Sequence, residues 1–262
     1  GPAATSTETP VPQQAICVHL RSSAVPHRPL LQTNSPTTAA VRQVAVETGT
    51  TLLVGSDQID RTPPARYFNA AFLIDPAGTV AAVYRKVHLV PFGEYVPLKR
   101  LLFFAGPLIQ AVSDFSEGDR IVMLPVAGHT ASTAICYEVV YPHLARAATQ
   151  AGSELLTTIT NDAWFGRSSA ARQHFEMASL RAIEQGRYLA RAANTGISGI
   201  VDPYGRVLVR SALFEQAVLT GDVRFLTSQT IYARTGDVFA YACIAATLAG
   251  LLLTMRWGKM KT

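Results

Sequence analysis

The chain has 262 residues, of which 48% are hydrophobic and 16% charged, with a mean hydropathy of +0.19. That is enough apolar material for a core without disulfide staples, and it excludes a disordered or collagen-like chain. Lys+Arg 23 minus Asp+Glu 18 gives +5, and the basic residues are scattered rather than clustered, which argues against nucleic acid as a partner.

In chain order, Gly1 to Gln14 (GPAATSTETPVPQQ) is rich in Pro, Thr, Ala and Gln. It reads as a flexible lead-in without the apolar run of a signal peptide. Ser35 can cap a helix through about Glu47, and the apolar stretch from Thr51 to Val54 predicts a strand ending at Gly55. Asn69 to Ile74 and Thr79 to Tyr84 flank Asp75-Pro76-Ala77-Gly78, a hairpin with a Pro/Gly turn. Ile121 to Val126 and Thr130 to Ile135 predict two more strands, Pro142 to Gln150 a helix, and Leu155 to Thr160 a buried strand. Arg172 to Gln185 has helical periodicity, followed by strands near Tyr188 to Ala193 and Gly199 to Val201. Asp202-Pro203-Tyr204-Gly205 repeats the earlier turn chemistry. Two such hairpins point to two layered sheets rather than one parallel sheet.

The C-terminal stretch Val238 to Met255 contains eighteen residues and no charge, with Gly236 and Asp237 before it and Arg256, Trp257, Lys259 and Lys261 after it. Length and basic flank predict a transmembrane helix over 236–256 and a cytoplasmic basic tail over 257–262, the alternative being a buried core helix. On that reading the body, 15–235, lies on the outer side of a cytoplasmic membrane, as a single-pass protein.

Three segments mix polar and apolar residues beyond what a core or plain loop requires: Tyr84 to Pro97 (YRKVHLVPFGEYVP), Ala134 to Glu138 (AICYE) and Thr160 to Gly166 (TNDAWFG). Cys136 stands where an apolar strand gives way to a polar loop, a usual place for a nucleophile in a layered α/β protein. Lys86, at the end of its own strand, can supply positive charge to an oxyanion, with Glu94 or Glu138 to hold it. Singly, Cys136 also fits a small buried hydrophobe and Lys86 a solvated strand end.

Taken together, RKVHLVPFGEYVP, ICYEVVYP, NDAWFG and LRAIEQGRYLARAANTGISGIVDPYGRV resemble the nitrilase-superfamily (carbon-nitrogen hydrolase) domain of bacterial apolipoprotein N-acyltransferases, and the YARTGD segment with its apolar tail resembles their last transmembrane helix. The resemblance implies an α/β fold, a four-layer αββα nitrilase-like sandwich plus one C-terminal transmembrane helix, on the periplasmic side of the inner membrane. It also implies transfer of an acyl chain from phospholipid to the N-terminal amine of a lipoprotein through a cysteine thioester. Position by position, Cys136 matches the nucleophile, Lys86 the catalytic lysine, and Glu94 and Glu138 supporting carboxylates. The third catalytic residue of the family, a glutamate, falls on Ser22, whose hydroxyl cannot act as a base near neutral pH. The expectation is therefore a catalytically impaired protein serving as a structural or interaction subunit of a membrane assembly, with membrane lipid, other membrane subunits and a separate N-terminal membrane half as partners. An active acyltransferase using Cys136 is the alternative. The six histidines, His19, His27, His88, His129, His143 and His174, show no ligand spacing, the three cysteines share no CxxC, and no Gly-rich phosphate loop occurs, so no metal or cofactor is expected.

Overall fold

The structure, a computed structural model, describes residues 17–19, 36–95 and 115–259. The strands are β1 (Cys17–His19), β2 (Leu52–Asp60), β3 (Arg66–Ile74), β4 (Val80–Arg85), β5 (Leu124–Val126), β6 (His129–Ile135), β7 (Leu155–Asn161), β8 (Leu189–Asn194), β9 (Gly199–Val201) and β10 (Val207–Arg210). The helices are α1 (Pro36–Thr48), α2 (Pro142–Gln150), α3 (Ala170–Gln185), α4 (Ile231–Thr235) and α5 (Val238–Lys259). Short 3-10 turns follow β6 at Cys136–Val140 and β7 at Asp162–Phe165.

Two sheets form, with strand orders β1-β2-β3-β4 and β10-β9-β8-β7-β6-β5. Their stacking follows from period-two patterning. Along β2 and β3, Leu52, Val54, Ala70, Phe72 and Ile74 pack with Ala45 of α1 on one face. The alternate residues Leu53, Ala71 and Leu73 meet Leu124, Ala131, Ile135, Leu155 and Ile159 of the second sheet. The far face of that sheet, through Leu156, Leu189 and Val201, takes Phe175, Ala178 and Ala182 of α3. The order is therefore helix, sheet, sheet, helix, the four layers expected.

Both DPxG turns form. Asp75 Oδ1 accepts from the backbone N–H of Ala77 and Thr79, each at 2.9 Å. Asp202 Oδ1 accepts from Tyr204 and Arg206 at the same distance. Gly78 and Gly205 supply the left-handed residue, at φ 77° and 81°. One boundary differs from expectation: β2 does not stop at Gly55. It continues to Asp60 because β3 pairs with it along its whole length, from Leu52 opposite Ile74 to Asp60 opposite Arg66.

The expected transmembrane helix, and with it the single-pass inner-membrane placement and the periplasmic side assigned to the body, is overturned. Among the described residues no helix is long and apolar enough to cross a membrane. Helix α5 does form over the predicted stretch. The described part of it does not combine the length and the apolarity that a hydrocarbon core of about 30 Å requires. Nor is α5 a core helix, since Phe239, Tyr241, Leu252 and Leu253 are all more than 60% exposed. Its root is fixed to the body instead. Arg146 of α2 donates to the carbonyls of Ala233 (3.0 Å) and Arg234 (2.8 Å), and Thr230 caps α4 by accepting from Ala233 N–H at 2.9 Å. The lead-in 1–14, Ser22 and residues 260–262 lie outside the described residues.

Candidate active site

Strands β6, β7 and β8 run parallel, with Ile135 opposite Ile159 and Asn161 opposite Asn194. Their carboxyl ends therefore open on the same edge of the sheet, where open α/β sheets bind ligands. Cys136 is the first residue after β6 and takes φ 55°, a left-handed conformation that a cysteine rarely adopts and that costs on the order of 1–3 kcal/mol. It is partly exposed and carries a free thiol.

Lys86 is the residue after β4, in the other sheet, and its side chain is fully buried. A buried ammonium needs a partner, and Nζ donates to Glu94 Oε2 at 2.6 Å. Glu94 is held in turn by Asn69 Nδ2 at 3.0 Å, from β3, and by the backbone N–H of Val90 at 2.9 Å. The PFGEY loop thus folds back so that its carboxylate meets the lysine eight residues earlier.

Glu138 does something different. Its Oε1 accepts from the backbone N–H of Val87 (2.7 Å) and His88 (3.0 Å), its Oε2 from Ile135 N–H (2.7 Å), and the Tyr84 hydroxyl donates to it at 2.9 Å. One buried carboxylate thereby ties the residues just after Lys86 to the residues flanking Cys136, across the gap between the sheets. Burial pushes the Glu138 carboxyl up, against the backbone donors of Ile135 and His88, the Lys86 charge and the Tyr84 hydroxyl. Burial, with the Glu138 charge second, pushes the Tyr84 hydroxyl far above its ordinary value.

A second buried group lies beneath the cysteine, built on Asp162 of the Thr160–Gly166 segment with two partners, His174 and Arg191, that the sequence did not connect to it. Asp162 Oδ2 accepts from Arg191 Nη2 at 2.9 Å. Its Oδ1 accepts from the Thr160 hydroxyl at 2.8 Å and lies 3.0 Å from His174 Nδ1. Burial opposes ionisation of Asp162, but the His174 contact, the Arg191 charge and Thr160 outweigh it and hold the carboxyl below the usual aspartate range. His174 Nε2 reaches the backbone carbonyl of Cys136 at 3.2 Å. The signal was present: His174 sits on the buried stripe of α3 with Ala171, Phe175, Ala178 and Ala182, and Arg191 alternates with Leu189 on the inward face of β8. Charged residues at core positions come paired.

Of the sequence-derived site residues, Lys86 and Glu94 meet directly, Glu138 bridges their segment to that of Cys136, and Ser22 lies outside the described residues. Fold and site together define a two-sheet α/β protein in which Glu138 ties the segment of a cysteine elbow to that of a buried lysine–carboxylate pair. The sequence profile of the carbon-nitrogen hydrolase family matches residues 10–232, and the chain belongs to that family.

Its relatives include the apolipoprotein N-acyltransferases of Geobacter metallireducens, 44% identical over 217 residues, and of Pseudomonas aeruginosa PAO1, 42% identical over 201 residues. These alignments cover 82% and 74% of this chain but 42% and 38% of the relatives, so the chain spans about two fifths of their length. Among solved structures, an amidase from Nesterenkonia sp. matches with a TM-score of 0.50 and 25% identity, over 68% of this chain and 62% of that one. Another structure of the Nesterenkonia sp. AN1 amidase matches over 79% and 74% with a TM-score of 0.56 at 23% identity, a likeness of fold. In a variant of that amidase the acetamide moiety of fluoroacetamide is added covalently at the active site cysteine.

Proposed function

We propose that the chain is an acyl-transfer domain of the apolipoprotein N-acyltransferase type, using Cys136 as nucleophile and slowed by a vacant general-base position at Ser22. The observation that carries this reading is the Glu138 bridge. A fully buried lysine, a strained cysteine and a carboxylate linking their segments are each costly to a fold, and acyl transfer gives a use to all three.

In the forward half-reaction Cys136 Sγ bonds to the carbonyl carbon of an ester, such as a phospholipid acyl ester. The alkoxide oxygen leaves and takes up the thiol proton. In the return half, an amine nitrogen bonds to the thioester carbon, the C–S bond breaks, and the proton shed by the amine restores the thiol. Lys86 Nζ and the backbone N–H of Tyr137 are the proposed partners of the oxyanion formed in each half, with Glu94 holding the lysine in place. Proton transfer is the weak step: without a carboxylate at position 22 the expected loss is about 10²–10⁴-fold.

A second reading rests on the same vacancy: a silent domain kept for its surface, with phospholipid and other protein subunits as partners. The test is to incubate the full chain with micellar phospholipid or a p-nitrophenyl ester and follow by intact mass a hydroxylamine-sensitive adduct, with Cys136→Ser as control. The active reading expects a slow adduct on Cys136 that forms faster in Ser22→Glu. No adduct in either form, with stoichiometric co-purification of a partner protein, is the result expected of the silent domain.

A further inference from the structure

We infer that His174, held by Asp162 and Arg191, is a positioning residue that aims the oxyanion-binding N–H of Tyr137. The inference rests on the reading of Cys136 as nucleophile and extends it to a residue with no assigned part in the reaction. His174 Nε2 lies 3.2 Å from the Cys136 carbonyl oxygen, which can only accept, so Nε2 carries the proton and donates it. The peptide joining Cys136 to Tyr137 is planar and trans, so its N–H points opposite to its C=O. Drawing the carbonyl down to His174 turns the Tyr137 N–H up, away from the buried layer. At φ 55° Cys136 holds a costly left-handed backbone conformation, and a fixed donor below its carbonyl helps to keep it there.

The other ring nitrogen is also constrained. Nδ1 lies 3.0 Å from Asp162 Oδ1 and 3.1 Å from Arg191 Nη2. Arg191 Nε donates to the Ile197 carbonyl at 3.1 Å, and Phe165 meets the His174 ring edge-on with centroids 5.6 Å apart. The cluster is closed from beside as well: a Cβ on Gly196 would come within 2.2 Å of Asp162 Oδ2. His174 is 2% exposed and rigidly held, in the manner of a part that sets another part's direction.

The test compares two reactions of one thiol. Acylation by a p-nitrophenyl ester builds an oxyanion, whereas alkylation of Cys136 by iodoacetamide displaces iodide and builds none. In the Ser22→Glu background, His174→Asn is expected to slow acylation by about 10²-fold, the low end for loss of an oxyanion donor, and to leave Cys136 alkylation, mapped by peptide mass, within about two-fold. His174→Gln, which keeps an N–H near the Nε2 position, is expected to recover most of the rate. Equal slowing of both reactions overturns the positioning role and leaves the nucleophile reading intact. Absence of a Cys136 thioester in every form, Ser22→Glu included, overturns the nucleophile reading and this inference with it. Should His174→Asn fail to fold, ¹⁵N NMR of the intact protein decides: a protonated Nε2 supports the inference, and a bare Nε2 overturns it.

Discussion

Lys86 and Glu138 are both buried, yet they predict opposite consequences on substitution. Lys86 serves a pair: with Lys86→Met, Glu94 keeps its contacts to Asn69 and Val90. The expected outcome is a folded protein whose acyl-adduct rate falls about 10²–10³-fold while iodoacetamide still labels Cys136, measured by intact mass in the Ser22→Glu background. Glu138 serves the fold as well. Its oxygens face backbone donors from Val87, His88 and Ile135, so Glu138→Gln sets an amide N–H against at least one of them. A loss of about 1–3 kcal/mol is expected, the range for an unsatisfied buried donor, read from the urea midpoint. Sequence reasoning found these residues as strand-end charges within a recognisable pattern. It did not separate the partner of the lysine from the bridge between the sheets, because both are glutamates near a turn and only packing distinguishes them.

Among the elements, the Asp162–His174–Arg191 cluster joins β7, α3 and β8. Asp162 has a carboxyl held below its ordinary range. A depressed carboxyl contributes stability above its unfolded-state value, and that contribution is lost as pH falls through the folded value. The wild type is therefore expected to lose stability steeply below the usual aspartate range. Asp162→Asn is expected to lose about 3–5 kcal/mol at neutral pH, by leaving Arg191 uncompensated, and to show a shallower acid slope. Urea melts between about pH 3 and pH 7 measure both.

The hairpins, α1, α2 and most strands were legible because their signals are local. Pro142 opens α2, and the two DPxG turns announce themselves through Asp and Gly chemistry. The extension of β2 past Gly55 was not legible, because the partner strand decides it. Nor was the cluster, since Asp162, His174 and Arg191 are far apart in sequence and the histidine was judged by ligand spacing rather than by its place on a buried stripe.

For the molecule as a whole, the two sheets and their helices account for the core, and α5 adds little to it. Its described side chains from Val238 to Thr254 are exposed, so they bury little apolar surface against the body. Truncation after Thr235 is expected to leave the melting temperature nearly unchanged and to reduce light scattering, because an exposed apolar helix favours self-association. A large fall in melting temperature would assign α5 a packing role. The eighteen uncharged residues do form a helix, but the membrane span read from their length and basic flank is not supported among the described residues.

Glu138 also sets a limit on how such a protein can change over time. Because one carboxylate joins the sheets and also sets the spacing between the lysine and cysteine segments, that spacing cannot drift while the two sheets stay docked. A change at position 138 that breaks this bridge weakens the molecule as well as the site, so the site cannot be dismantled by that route without cost to the fold. The arrangement of the Lys86 and Cys136 segments is thereby kept as a by-product of folding.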